Sequence, residues 1–195
     1  QYVQKIGDEC AKHDILFLFE LLVYPLSKDL YQTKEYVEMQ NKKTDHVLES
    51  VREFSNEKYG VDVFKLESPV NVNKIADSDL NAFKEMGNIA GRPWVMLSAG
   101  AGKEEFKNVL KLAFKAGCSG FLAGRAIWLD AFMHYPNWDK IQNQLESNAK
   151  DYLDEIGEMA DKSALSWNNH VCYDKDGSDF PYDNQEFRLH YNEIE

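Results

Sequence analysis

The chain has 195 residues, of which 44% are hydrophobic and 13% aromatic, enough apolar content for one packed core and too much for a disordered chain. Its formal net charge of -11 argues against nucleic acid and anionic membrane as partners, while an anionic small molecule stays compatible wherever positive charge is local. Three widely spaced cysteines (Cys10, Cys118 and Cys172) form neither a disulfide framework nor a zinc pattern; with no apolar run of about 20 residues and no signal peptide at the start, the expected setting is the reducing cytoplasm.

Residues 1–13 read as the end of a helix. The chain opens without Met, in what looks like mid-helix, which suggests a piece of a longer protein. Residues 15–24 are a short apolar run holding Glu20 and closed by Pro25; lacking clean alternation, it suits a strand buried on both faces. Residues 27–39 are a polar excursion. Residues 44–59 read as a helix, with Val47, Leu48, Val51 and Phe54 on one side and Gly60 as its stop. The next strand, Val61-Asp62-Val63-Phe64-Lys65-Leu66-Glu67, is stopped by Pro69. Period-two alternation puts Val61, Val63, Lys65 and Glu67 on one face, and Asp62, Phe64 and Leu66 on the other.

Residues 77–89 read as a helix bearing Leu80, Phe83 and Met86. Residues 94–98 form a third strand, 103–116 a helix, and 120–124 a fourth strand that leads through Arg125 into another helix. Residues 139–159 read as helical and mostly polar. From residue 168 the character changes, with seven acids against Lys175 and Arg188, and with Tyr173, Phe180, Tyr182, Phe187 and Tyr191 interspersed. The division expected is therefore a domain over 1–167 and an acidic, aromatic-containing tail over 168–195.

Strand alternating with helix implies parallel strands with helical crossovers. Four such units are half of a (β/α)8 TIM barrel, which usually needs about 250 residues. A doubly wound open sheet is the structural alternative, but its dinucleotide fingerprint is absent. Half a barrel would expose strand edges, so the other half is expected from association or from a homo-oligomer.

Lys65 carries the chemistry. A lysine among valines is costly unless it is paired or uncharged, and an uncharged lysine can attack a carbonyl to form a Schiff base. The plain alternative is a structural ion pair, for example with Glu67. The other strand ends hold Glu20, Ser98 and Gly124-Arg125, and in a barrel all strand ends reach the rim that bears the active site. If the third and fourth strands are barrel strands seven and eight, Ser98-Ala99-Gly100 and Gly124-Arg125 fall where phosphate commonly binds: glycines let backbone N–H groups approach an oxyanion, helix N-termini add positive potential, and Arg125 can close on it bidentately; the plain alternative is that these glycines only make βα turns.

Ala99-Gly100-Ala101-Gly102-Lys103 is not a nucleotide P-loop, because Leu97 and Glu104 stand where that motif needs Gly and Ser or Thr. The five histidines are scattered without ligand spacing, so no metal is expected. No Gly-x-Ser-x-Gly elbow supports serine hydrolysis.

The segments around Glu20, Val61-to-Asn71 around Lys65, Leu97-Ser98-Ala99-Gly100, and Gly120-to-Trp128 resemble the tagatose 1,6-diphosphate aldolases over residues 1–167. That resemblance implies a class I, metal- and cofactor-independent aldolase on a (β/α)8 barrel, this chain holding strands five to eight. It implies Lys65 as the Schiff-base lysine, Glu20 as acid/base, and Ser98, Gly100, Gly124 and Arg125 as ligands of the substrate phosphate. The substrate implied is a phosphorylated ketose, cleaved to dihydroxyacetone phosphate and an aldehyde.

Residues 93–128 also look like the related 6-deoxy-6-sulfofructose 1-phosphate aldolases, although the polar excursion after Tyr24 fits the tagatose enzymes better. A non-catalytic phosphosugar-binding regulator on the same barrel is the reading from a different class. A metal-dependent aldolase, revealed by chelator sensitivity, is a further rival.

Overall fold

Apolar side chains recurring every three to four residues set the helices, and short β-rich runs between turn residues set the strands. The computed structural model describes residues 1–23 and 44–172. In chain order these hold α1 (Tyr2–Lys12), β1 (Leu18–Leu21), α2 (Thr44–Phe54), β2 (Val63–Leu66), α3 (Leu80–Ala90), β3 (Trp94–Leu97), α4 (Lys103–Lys115), β4 (Gly120–Leu122), α5 (Arg125–Phe132), α6 (Trp138–Gln144) and α7 (Lys150–Ser163). The polar excursion at 27–39, and the expected tail from Tyr173 on, lie outside the described residues.

The four strands form one parallel sheet in the order β1-β2-β3-β4. Glu20 pairs in register with Lys65, Lys65 with Val95, and Val95 with Gly120. All four carboxyl ends therefore point the same way.

Strand alternation gives the sheet two unlike faces. Phe64, Leu66, Trp94 and Met96 are buried with Val51, Phe83, Met86, Phe106 and Leu110 from α2, α3 and α4. Phe121 meets Phe106 edge-on, with ring centroids 6.3 Å apart. The opposite face carries Leu18, Glu20, Val63, Lys65, Val95 and Leu122, all partly or largely exposed. Burying one large apolar side chain is worth about 1.5–3 kcal/mol, so the helix-covered face supplies most of the cohesion.

Three sequence expectations change in detail. The run at 15–24 is not a strand buried on both faces: only Leu18–Leu21 is strand, and Ile15, Leu16 and Leu18 are exposed. The cause is that β1 has one strand neighbour and one helix-covered face among the described residues. The helix expected over 44–59 stops at Phe54, and a separate 3-10 turn (Glu57–Tyr59) begins where the Asn56 side chain accepts from the Lys58 N–H. Gly60, with φ of 62°, ends that turn in the left-handed region.

The helix expected over 139–159 instead starts at Trp138 behind an Asn137 cap, loosens into a π-helical turn (Leu145–Ala149), and runs on to Ser163. It docks on α4 through the Tyr152 hydroxyl, which donates to the Lys103 carbonyl at 2.9 Å, and through the Lys107–Glu155 ion pair at 2.8 Å. No helix among the described residues is long and apolar enough to cross a membrane.

Candidate active site

Parallel pairing in register puts Glu20 and Lys65 side by side on the open face, and their side chains meet. Lys65 Nζ donates to Glu20 Oε2 at 2.8 Å. The Lys65 side chain is 22% exposed, so the ammonium is held at the sheet surface rather than extended into solvent. Its partner is Glu20, not Glu67. Glu67 is 2% exposed and accepts the Val23 N–H at 2.6 Å. In a parallel sheet, a carboxylate and an amine one strand apart have Cβ atoms close enough for direct contact.

Ser98 follows β3 directly and is 7% exposed. Its carbonyl accepts the Ala101 N–H at 2.8 Å, closing a turn in which Ala99 (φ 46°) and Gly100 (φ 83°) are both left-handed. A left-handed alanine is strained by about 1 kcal/mol, and such strain gathers at ligand-binding turns. A side chain on Gly100 would meet no atom within 4 Å, so its requirement for glycine is conformational and its surroundings are open. Helix α4 starts three residues later.

Gly124 precedes α5, and its carbonyl accepts the Ile127 N–H at 2.8 Å. A Cβ there would lie 3.3 Å from the Trp128 indole nitrogen, so the indole rests against the glycine. Arg125 is the first residue of α5 and is partly exposed. Lys103 at the start of α4 pairs with Asp130 in the last turn of α5 at 3.0 Å, tying the two helices together.

The arrangement therefore offers an amine with a carboxylate in contact, and beside it a polar rim of Ser98, Gly100, Gly124 and Arg125 on the same end of the sheet. A carboxylate in direct contact with an amine allows a proton to pass between them over 2.8 Å. Among the described residues no group of three or more His, Cys, Asp or Glu could hold a metal ion.

Two further carboxylates flank the strand pair: Glu67, which the sequence offered only as a partner for Lys65, and Asp62, which it did not single out. Asp62 Oδ2 accepts the Phe17 N–H at 2.7 Å, and Glu67 accepts that of Val23. Each sits just outside the β2 span, where a carboxylate replaces the next ladder acceptor. The acidic bracket Asp62…Glu67 around an apolar strand is the signal that could have found them.

A family model described as DeoC/LacD family aldolase matches residues 1–130, the stretch holding all four strands. Tagatose 1,6-diphosphate aldolase 1 of Enterococcus faecalis is 33% identical over 179 residues, covering 85% of this chain and 54% of its own length. Tagatose 1,6-diphosphate aldolase 1 of Streptococcus mutans is 29% identical over 181 residues (85% and 55%), and the tagatose 1,6-diphosphate aldolase of Listeria monocytogenes 30% over 181 residues (85% and 53%). The chain spans about half the length of the curated relatives it matches.

Proposed function

Because this chain belongs to the DeoC/LacD aldolase family, we propose that it supplies strands five to eight of a (β/α)8 barrel and, with them, the imine-forming part of a class I aldolase site. The substrate is a ketose (bis)phosphate such as tagatose 1,6-bisphosphate, and the products are dihydroxyacetone phosphate and an aldehyde. The reaction runs in the cytoplasm without metal or cofactor. The observation that carries this reading is the 2.8 Å contact between Lys65 Nζ and Glu20 on adjacent parallel strands.

The pair gives the chemistry a balanced sequence. Glu20 takes a proton from Lys65, which frees the amine. The amine attacks the C2 ketone, and Glu20 returns that proton to the departing hydroxyl, which leaves as water. The iminium now draws electrons. Glu20, again a carboxylate, accepts the C4 hydroxyl proton; the C3–C4 bond breaks, its electron pair moves toward nitrogen, and an aldehyde departs. Protonation of the enamine at C3, followed by addition of water to the imine, releases dihydroxyacetone phosphate and restores Lys65. Proton transfer by a positioned group contributes roughly 10²–10⁴-fold.

Ser98, Gly100, Gly124 and Arg125 hold the phosphate, so that C2 stays near the amine. Such anchoring can supply several kcal/mol by removing translational freedom.

The test is a coupled assay of dihydroxyacetone phosphate release from tagatose 1,6-bisphosphate by the natural polypeptide carrying this sequence. The expected result is turnover that Lys65→Met reduces to background and that a chelator leaves unchanged. Turnover surviving in Lys65→Met, or abolished by the chelator, contradicts the reading.

A further inference from the structure

Strand β1 is an edge strand among the described residues, with only one ladder to hold it, yet it carries Glu20. Its register against β2 is bracketed. Three residues before Glu20, the Phe17 N–H donates to Asp62 Oδ2 at 2.7 Å; three residues after it, the Val23 N–H donates to Glu67 Oε1 at 2.6 Å. Both acceptors are β2-side carboxylates, and they flank Lys65 by three and two positions. Four registered pairs lie between them, and Glu20 with Lys65 is the third.

Glu67 is 2% exposed, and a carboxylate is costly to bury unless strong donors compensate. A slip of one residue in β1 would turn Glu20 to the helix-covered face, away from Lys65. We infer that Glu67, seconded by Asp62, is a positioning residue that locks β1 in the register where Glu20 meets Lys65.

This inference rests on the aldolase reading for its kinetic consequence, but its structural content can be read separately. Water can replace Glu20 as the proton carrier during imine formation, whereas removal of the C4 hydroxyl proton as the C3–C4 bond breaks needs Glu20 in place. Loss of the lock must therefore spare the first more than the second.

The experiment uses the natural polypeptide, with Glu67→Gln, Glu67→Leu and Val23→Pro. In Glu67→Gln the amide oxygen still accepts the Val23 N–H, and turnover stays within about tenfold of wild type. In Glu67→Leu, and in Val23→Pro, which deletes the donor and leaves Glu67 intact, turnover falls about 100-fold while borohydride still traps dihydroxyacetone phosphate on Lys65, because a displacement of about 1 Å is enough for such a loss.

The inference is overturned if Glu67→Leu and Val23→Pro cleave like wild type, or if trapping falls in step with turnover. Should both variants fail to fold, a drop of 100-fold in Glu67→Gln overturns it, and near-native turnover there upholds it. A wild-type protein that forms no adduct refutes the aldolase reading instead. The lock is then decided by hydrogen exchange at the Val23 amide, whose protection Glu67→Gln must retain; fast exchange in Glu67→Gln or in the wild type overturns it.

Discussion

At the scale of single residues, Lys65 was legible because a lone amine in an apolar strand violates burial rules unless it is paired. Glu20 was legible as an acid ending another strand. Their contact was not, since 45 positions separate them and only the register brings them together. The same distance hid Asp62, whose partner is Phe17.

Cys118 shows a second residue-level effect. It is fully buried, its thiol donates to the Gly120 carbonyl at 3.1 Å, and burial pushes its pKa from 9.0 up to about 12. Burial likewise raises Tyr152 to about 12. A raised folded-state pKa means that the unfolded chain loses the proton first. The stability these groups contribute is thus whole below about pH 9 and is lost as pH rises toward about 12. Urea midpoints should hold level from pH 7 to 9 and fall above it, with a shallower fall in Cys118→Ala. Equal alkaline slopes in the two proteins would exclude this assignment.

At the scale of elements, sequence pattern placed helices and strands in the right order but missed ends and joins: α6 and α7, with a π-helical turn between them, read as one helix over 139–159. Helix α2 stops at Phe54 because the Asn56 side chain starts a new turn, a choice that apolar spacing does not encode. Strand β1 shrank to Leu18–Leu21 because tertiary cover, not composition, decides which part of an apolar run pairs.

Helix α1 docks on the following turn through Gly7. A Cβ on Gly7 would fall 2.0 Å from the Tyr59 carbonyl oxygen, a backbone atom that cannot swing aside. Gly7→Ala should therefore push α1 off the Glu57–Tyr59 turn and lower stability by about 2 kcal/mol, read from the urea midpoint. An unchanged midpoint would mean that α1 sits elsewhere in solution. Sequence alone marked Gly60 for its turn and gave no sign of Gly7, whose need is a close approach from a segment 52 positions away in the chain.

At the scale of the whole molecule, two features agree. One sheet face is packed under α2, α3 and α4, and the other presents Leu18, Val63, Val95 and Leu122 with Glu20 and Lys65 among them. The chain also spans about half the length of its curated relatives. Parallel βα units were readable from alternation, and the shared direction of their carboxyl ends then followed from topology. What covers the open face could not be read, because apolar residues lining a barrel and apolar residues at an interface share one pattern.

The proposed site nonetheless depends on that global arrangement: Lys65 and Glu20 meet only through strand pairing, and Ser98 and Arg125 follow two further strands of the same parallel sheet. The most direct test is borohydride reduction of the natural polypeptide with dihydroxyacetone phosphate, followed by mass mapping of the peptides. The account predicts one adduct, on Lys65, absent in Lys65→Met and retained in Glu20→Gln. An adduct on another lysine, or none at all, would contradict it.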